Sequence, residues 1–101
     1  MKVYVAGPYT KGDVVVNVRR AVLAAEELIK RGHVPFVPHL THLWHLISPH
    51  PIEFWFTYDN HWLDSCDCLL RLAGDSVGAD KEVALAERQG IPVFYDMDEL
   101  L

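Results

Sequence analysis

Short β-rich runs at residues 2–6, 34–37, 67–72 and 91–95 alternate with longer segments of helical period, and glycine and proline punctuate the changes. Alternation of this kind demands β-α-β crossovers, and so a parallel sheet covered by helices. The first run stops at Gly7-Pro8, as a strand entering a turn does. Val14, Val18, Ala21, Val22, Ala25, Leu28 and Ile29 then recur at helical spacing, with Arg19, Arg20, Glu26, Glu27, Lys30 and Arg31 on the other side. Asp13 reads as the N-cap of that helix and Gly32 as the residue that ends it. Residues 38–50, rich in His, Pro and Trp, follow no simple period, so the pattern sets no order there. Pro51 suits the first turn of a helix reaching about residue 63, whose Phe54, Trp55, Tyr58 and Trp62 read as an aromatic stripe, mostly core. A further helix over residues 76–89 closes at Gly90.

These elements consume the 101 residues once, so a single domain over residues 1–101 is expected. A domain this short buries roughly 60–65% of its unfolded-chain surface, and an enclosed pocket would then call for a second copy. The longest unbroken apolar run is Ala21-Val22-Leu23-Ala24-Ala25, and the N-terminus lacks a basic flank with a long apolar core. Neither a membrane span nor a signal peptide is expected, and the default location is cytoplasmic. The net charge of −5 leaves no basic surplus for a phosphate backbone, which argues against nucleic acid as the ligand. Cys66 and Cys68 flank Asp67, share one face if the segment is extended, and read as reduced packing residues.

In a parallel sheet ligands gather beyond the carboxyl ends of the strands. That brings Gly7-Pro8-Tyr9-Thr10, Pro38-His39 and Gly74-Asp75-Ser76-Val77-Gly78 to one rim. The last loop opens a helix and offers free N–H groups at its positive end together with the Ser76 hydroxyl. It suits a phosphate or a sugar hydroxyl, or Ser76 is simply an N-cap. Glu82, about one turn into that helix, and Asp59, near the end of the aromatic helix, could face one pocket with Tyr4, Tyr9 and tryptophans. Paired carboxylates with an aromatic wall are what glycosidic bond cleavage uses. His39, His42 and His45, spaced by three, admit a metal site as an alternative. His39, at the rim of the second strand, is also a candidate substrate contact.

The motifs Val3-Tyr4-Val5-Ala6-Gly7-Pro8-Tyr9, Tyr58-Asp59-Asn60-His61-Trp62-Leu63 with Cys66-Asp67, and Ser76-Val77-Gly78-Ala79-Asp80-Lys81-Glu82 with Gly90-Ile91-Pro92-Val93 occur in that order over most of the chain. In order and spacing they resemble the nucleoside 2-deoxyribosyltransferases and the related 2′-deoxynucleoside 5′-phosphate N-hydrolases. Short bacterial and archaeal relatives sharing an Ala-Gly-Pro-Tyr-Thr opening look most similar. The resemblance implies a Rossmann-like (flavodoxin-like) three-layer α/β fold with a parallel sheet of about four strands, order 2-1-3-4. It makes Glu82 the nucleophile that forms a glycosyl ester at C1′, and Asp59 the acid that assists departure of the base. Tyr4 matches the tyrosine of the pocket floor, Tyr9 an aromatic packed against the base, and Ser76 the loop serine that contacts a 5′-phosphate. Gly7, Pro8 and Gly78 belong to the same substrate-binding motifs. Two local differences stand out. Glu82 is followed by Val83-Ala84 where the family usually has Leu-Gly, and Thr10-Lys11-Gly12 lacks the arginine of a phosphate binder. The family also completes its pocket from the C-terminal part of a neighbouring subunit, whereas this chain stops at Leu101. The loop at residues 38–50 and Trp55 are the expected substitutes.

The expected function is therefore cleavage or exchange of the N-glycosidic bond of a (deoxy)nucleoside or nucleoside 5′-monophosphate, without metal or organic cofactor, in a homodimer or larger homo-oligomer. Alternatives are a non-catalytic nucleotide-binding module of the same fold and a histidine-based metal-dependent hydrolase.

Overall fold

In the computed structural model, which describes residues 1–100, four strands form one parallel sheet in the order β2-β1-β3-β4. The strands are β1 (Lys2–Ala6), β2 (Val34–Phe36), β3 (Cys68–Arg71) and β4 (Val93–Phe94). The helices are α1 (Val14–Lys30), α2 (His42–Ile47), α3 (Ile52–Asp64) and α4 (Val77–Arg88). Alternate residues of β1 point to opposite faces and both faces are covered, so Val3, Tyr4, Val5 and Ala6 are all buried. Val3 and Val5, with Cys68 and Leu70, meet Ala21, Ala25 and Leu28 of α1. Tyr4, Ala6 and Leu69 meet Leu63 of α3 and Ala79 and Ala86 of α4. The result is the three-layer α/β architecture and the 2-1-3-4 strand order expected from the sequence. Asp13 caps α1 through its carboxylate, which accepts from the N–H groups of Val15 and Val16 at 2.9 and 3.2 Å.

Several local expectations need correction. Residues 38–50 are ordered: a 3₁₀ turn at Pro38–Thr41 leads into α2, a helix too short for periodicity to reveal. Pro38 ends β2 one residue early, and Val37 becomes the cap of that turn. β4 is shorter than residues 91–95 because the Ile91 N–H donates to Ala86 O at 2.8 Å and so closes α4 instead of entering the sheet. Cys66 and Cys68 lie on opposite faces: Cys66 N–H still bonds Leu63 O, so strand alternation starts only at Cys68. Both are free, and burial pushes the Cys66 thiol up to about 11. The aromatic stripe of α3 is not core. Only Leu63 of that helix is buried, Trp62 is 47% exposed, Phe54 stacks on Tyr58, and Trp55 and Tyr58 meet Trp44 of α2 edge-on. No helix among the described residues is long and apolar enough to cross a membrane.

Candidate active site

On α4 the inward positions are Ala79, Glu82 and Ala86, at i, i+3 and i+7. The small alanines let the helix lie close to the sheet, and between them the Glu82 carboxylate reaches β1. It is 8% exposed, and its Oε2 accepts from the Tyr4 hydroxyl. Asp59 and Leu63, four apart on α3, lie over the same sheet face. Asp59 Oδ1 is buried without a partner. Tyr4, Asp59 and Glu82, from three separate elements, therefore form one cluster.

Burial pushes the carboxyl groups of both Glu82 and Asp59 up to about 7. Asp59 is raised further by the neighbouring charge of Glu82. Glu82 is drawn partly back by the Tyr4 hydrogen bond and by the charge of Arg71, whereas nothing lowers Asp59. Tyr4 and Arg71 thus favour the charge on Glu82 and its absence on Asp59 within a pair that titrates near 7. Tyr4 is held far above its ordinary value, by burial first and by the two carboxylates next, and stays a donor. A carboxylate with a fixed donor beside a protonated carboxylic acid can attack an electrophilic carbon while protonating a leaving group.

The rim is built by close contacts. A Cβ on Gly7 would stand 3.0 Å from Leu72 Cβ, so Gly7 and Pro8, both buried, let the end of β1 approach the β3–α4 loop. Gly74 has φ +117°, and a Cβ there would stand 2.8 Å from Pro8 Cγ. Arg20 Nη2 donates to Ala73 O at 3.1 Å and Lys11 pairs with Asp75 at 3.3 Å, lacing the loops together. Ser76 is the N-cap of α4, its Oγ accepting from Ala79 N–H at 3.0 Å, and Gly78 lies exposed in the first turn.

Tyr9 and His39 form a second cluster with His42. The Tyr9 hydroxyl bonds His42 Nδ1, and its ring meets His39 edge-on at 6.0 Å. His39 Nε2 donates to Pro8 O at 2.9 Å, which leaves Nδ1 as a buried lone pair without a partner. Burial keeps this ring below its ordinary pKa and so neutral. Trp55 belongs to a third cluster: its Nε1 donates to His45 Nδ1 at 2.8 Å, and its ring neighbours are Trp44, Phe54 and Tyr58, with Tyr4 not among them. His39, His42 and His45 thus turn to three different partners, and among the described residues no three His, Cys, Asp or Glu side chains converge. An apolar groove of about 440 Å³ runs along the outer edge of β2 between Val22, Ile29, Pro35, Trp44 and Trp62. Tyr4, Asp59 and Glu82 do not line it.

Two residues of the region escaped sequence reading. Arg71 is buried at the end of β3, and its signal was a single charge closing an apolar run. Asn17 is buried on α1, where its Nδ2 holds the carbonyls of Tyr9 and Lys11 at 2.9 and 2.8 Å. Its signal was a polar residue between Val14 and Ala21 on the apolar stripe.

The fold and the carboxylate pair of buried Glu82 and half-buried Asp59 define an α/β protein with its candidate chemistry at the face of β1 and α4. The chain belongs to the family described as "Domain of unknown function (DUF7768)", which matches residues 1–96. Among solved structures it is similar to a 2-deoxyribosyltransferase from the psychrotolerant bacterium Bacillus psychrosaccharolyticus, with a TM-score of 0.66 and 22% identity. That match covers 92% of this chain and 69% of the other, and at this identity the likeness is one of fold. A search of curated proteins finds no match.

Proposed function

We propose that the protein, acting as one domain, cleaves or exchanges the N-glycosidic bond of a (deoxy)nucleoside or nucleoside 5′-monophosphate, as the deoxyribosyltransferase-like motifs imply. The observation that carries this reading is the Tyr4–Glu82–Asp59 cluster, with Tyr4 and Glu82 buried and Asp59 half-buried. Glu82, oriented by Tyr4, attacks C1′ as the C1′–N bond breaks, and the departing base takes the electron pair together with the Asp59 proton. The developing oxocarbenium charge is stabilised by the same carboxylate that captures it. Water or a second base then attacks C1′ and frees Glu82. The reaction calls for no metal or organic cofactor. Gly7 and Pro8 shape the rim, Tyr9 and His39 contact the substrate from the β2 side, and Ser76 and Gly78 receive its sugar or phosphate at the start of α4. Trp55 is the residue assigned to substrate binding from the α2–α3 segment.

The exposed apolar side chains Trp44, Ile47, Ile52, Phe54 and Trp62 support homo-oligomerisation through α2 and α3. The test is a panel of ribo- and deoxynucleosides and their 5′-monophosphates, with base release followed by chromatography. Wild type should release base from at least one member, with and without chelator, and Glu82→Ala should not. A panel with no turnover, or an active Glu82→Ala, rejects the reading.

A further inference from the structure

Among the described residues, Glu82 and Arg71 are the two buried charged side chains apart from histidines, and they come from adjacent elements, α4 and β3. Arg71 follows Leu69 by two positions and so lies on the same sheet face as Tyr4. Its register partner on β1 is Ala6, whose methyl group leaves room for a guanidinium. Arg71 makes no hydrogen bond to Glu82. Its Nη1 donates to Leu72 O, and its Nη2 donates to Gly74 O at 2.9 Å and to Asp80 Oδ1 at 3.1 Å. The guanidinium is thus inside while Asp80, its carboxylate partner, is solvent-exposed. An ordinary surface ion pair has both ends in water.

The placement of Asp80 gives these bonds their consequence. Asp80 lies in the first turn of α4 and Glu82 two residues on, about 200° further round the helix. Fixing Asp80 toward β3 therefore fixes the rotation of α4 about its axis, and with it the direction of Glu82. The Gly74 carbonyl is held by the same Nη2, so the chain between β3 and α4 is tied at both ends. We propose that Arg71 is a positioning residue: by joining the end of β3 to the first turn of α4 it holds the Glu82 carboxylate against Tyr4. The inference rests on the reading of Glu82 as nucleophile, but its test needs no substrate.

The ionisable groups facing Glu82 are Tyr4 from β1, Asp59 from α3 and Arg71 from β3. The Glu82 carboxyl is titrated by ¹³C NMR, its signal identified by loss in Glu82→Gln, and amide hydrogen exchange is followed over residues 74–80. Arg71→Met removes both charge and fork. It should move the Glu82 midpoint up by about one pH unit and raise exchange across the loop. Arg71→Lys keeps the charge but cannot span two carbonyls and Asp80. Its midpoint should rise less than in Arg71→Met, because the charge remains and only the Tyr4 contact loosens, while exchange rises about as much as in Arg71→Met. An unchanged midpoint in Arg71→Met, or unchanged exchange in either variant, overturns the proposal. Should Arg71→Met fail to fold, Asp80→Ala removes the acceptor and releases α4 without removing the buried charge. Faster exchange at residues 74–80 then supports the proposal and unchanged exchange overturns it. With an active substrate, Arg71→Lys should lose kcat more than it raises KM. The reverse split counts against positioning. Absence of any substrate leaves the NMR outcome intact and bears only on the glycosidic reading.

Discussion

The Tyr4 hydroxyl donates to Glu82 Oε2 from β1 to α4, across 78 residues of sequence. Tyr4 is fully buried, so the bond joins the sheet to the helix layer in a region without bulk water. It anchors one carboxylate oxygen and leaves the other for chemistry.

Tyr4→Phe removes that donor and leaves a buried carboxylate oxygen unpaired, which costs about 1–3 kcal/mol when the group is charged. Because the Tyr4 bond lowers the Glu82 pKa, its loss raises the Glu82 midpoint above about 7. The acid limb of the rate profile should shift to higher pH, and kcat/KM at neutral pH should fall by about 10–100-fold. An unshifted limb in Tyr4→Phe would show that the bond does not tune Glu82.

Stability should depend on pH through the same pair. Glu82 and Asp59 titrate near 7 when folded, against ordinary values of 4.5 and 3.8. Between these limits the folded state binds more protons than the unfolded one, so stability falls as pH rises from about 4 to about 7 and is level above. Glu82→Gln keeps a neutral partner for Tyr4 and removes the Glu82 share of this dependence together with its charge effect on Asp59. Thermal melts should place the variant near wild type at pH 4.5 and several degrees above it at pH 8, at roughly 4–8 °C per kcal/mol for a domain of this size.

Gly74→Ala and Gly12→Ala separate backbone strain from crowding. Both glycines have positive φ, +117° and +84°, but only Gly74 would set its Cβ against Pro8, while Gly12 faces open space. Gly12→Ala should cost about 1 kcal/mol. Gly74→Ala should cost clearly more in urea unfolding and should also reduce activity, since the rim moves. Equal losses would mean that the Gly74–Pro8 contact is unimportant.

Assembly is tested on the surface of α2. Ile47 is 85% exposed, and its replacement by glutamate should leave the melting temperature of the monomer unchanged. In sedimentation velocity the wild type should run as a dimer or larger and Ile47→Glu as a smaller species. A wild type that remains monomeric at working concentration removes this face as a subunit contact.

Legibility differed from element to element. Asp13 and Ser76 could be read as caps because a cap bonds N–H groups two or three residues away. Val3 and Val5 could be read as strand core for the same local reason. α2 escaped, since six residues are fewer than two helical turns and its proline-rich approach carries no period. The α3 stripe was visible as a stripe but not as a surface, because amphipathic spacing tells which residues lie together and not which side meets the sheet. Asp59 and Leu63 face it instead, and Trp62 turns to stack on Phe36.

Glu82 and Asp59 were recognisable as acids on two helices, and the resemblance in motif order marked them for chemistry. Their proximity, the Tyr4 donor and the nearby Arg71 depend on which faces the strand order 2-1-3-4 brings together. Period, capping and turn residues are written in contacts a few residues long, so the chain alone determines its three longer helices, its parallel strands and its α/β class. Whether a charge is buried, what it faces and how far its pKa moves depend on desolvation by distant segments, and those are decided only when the layers close.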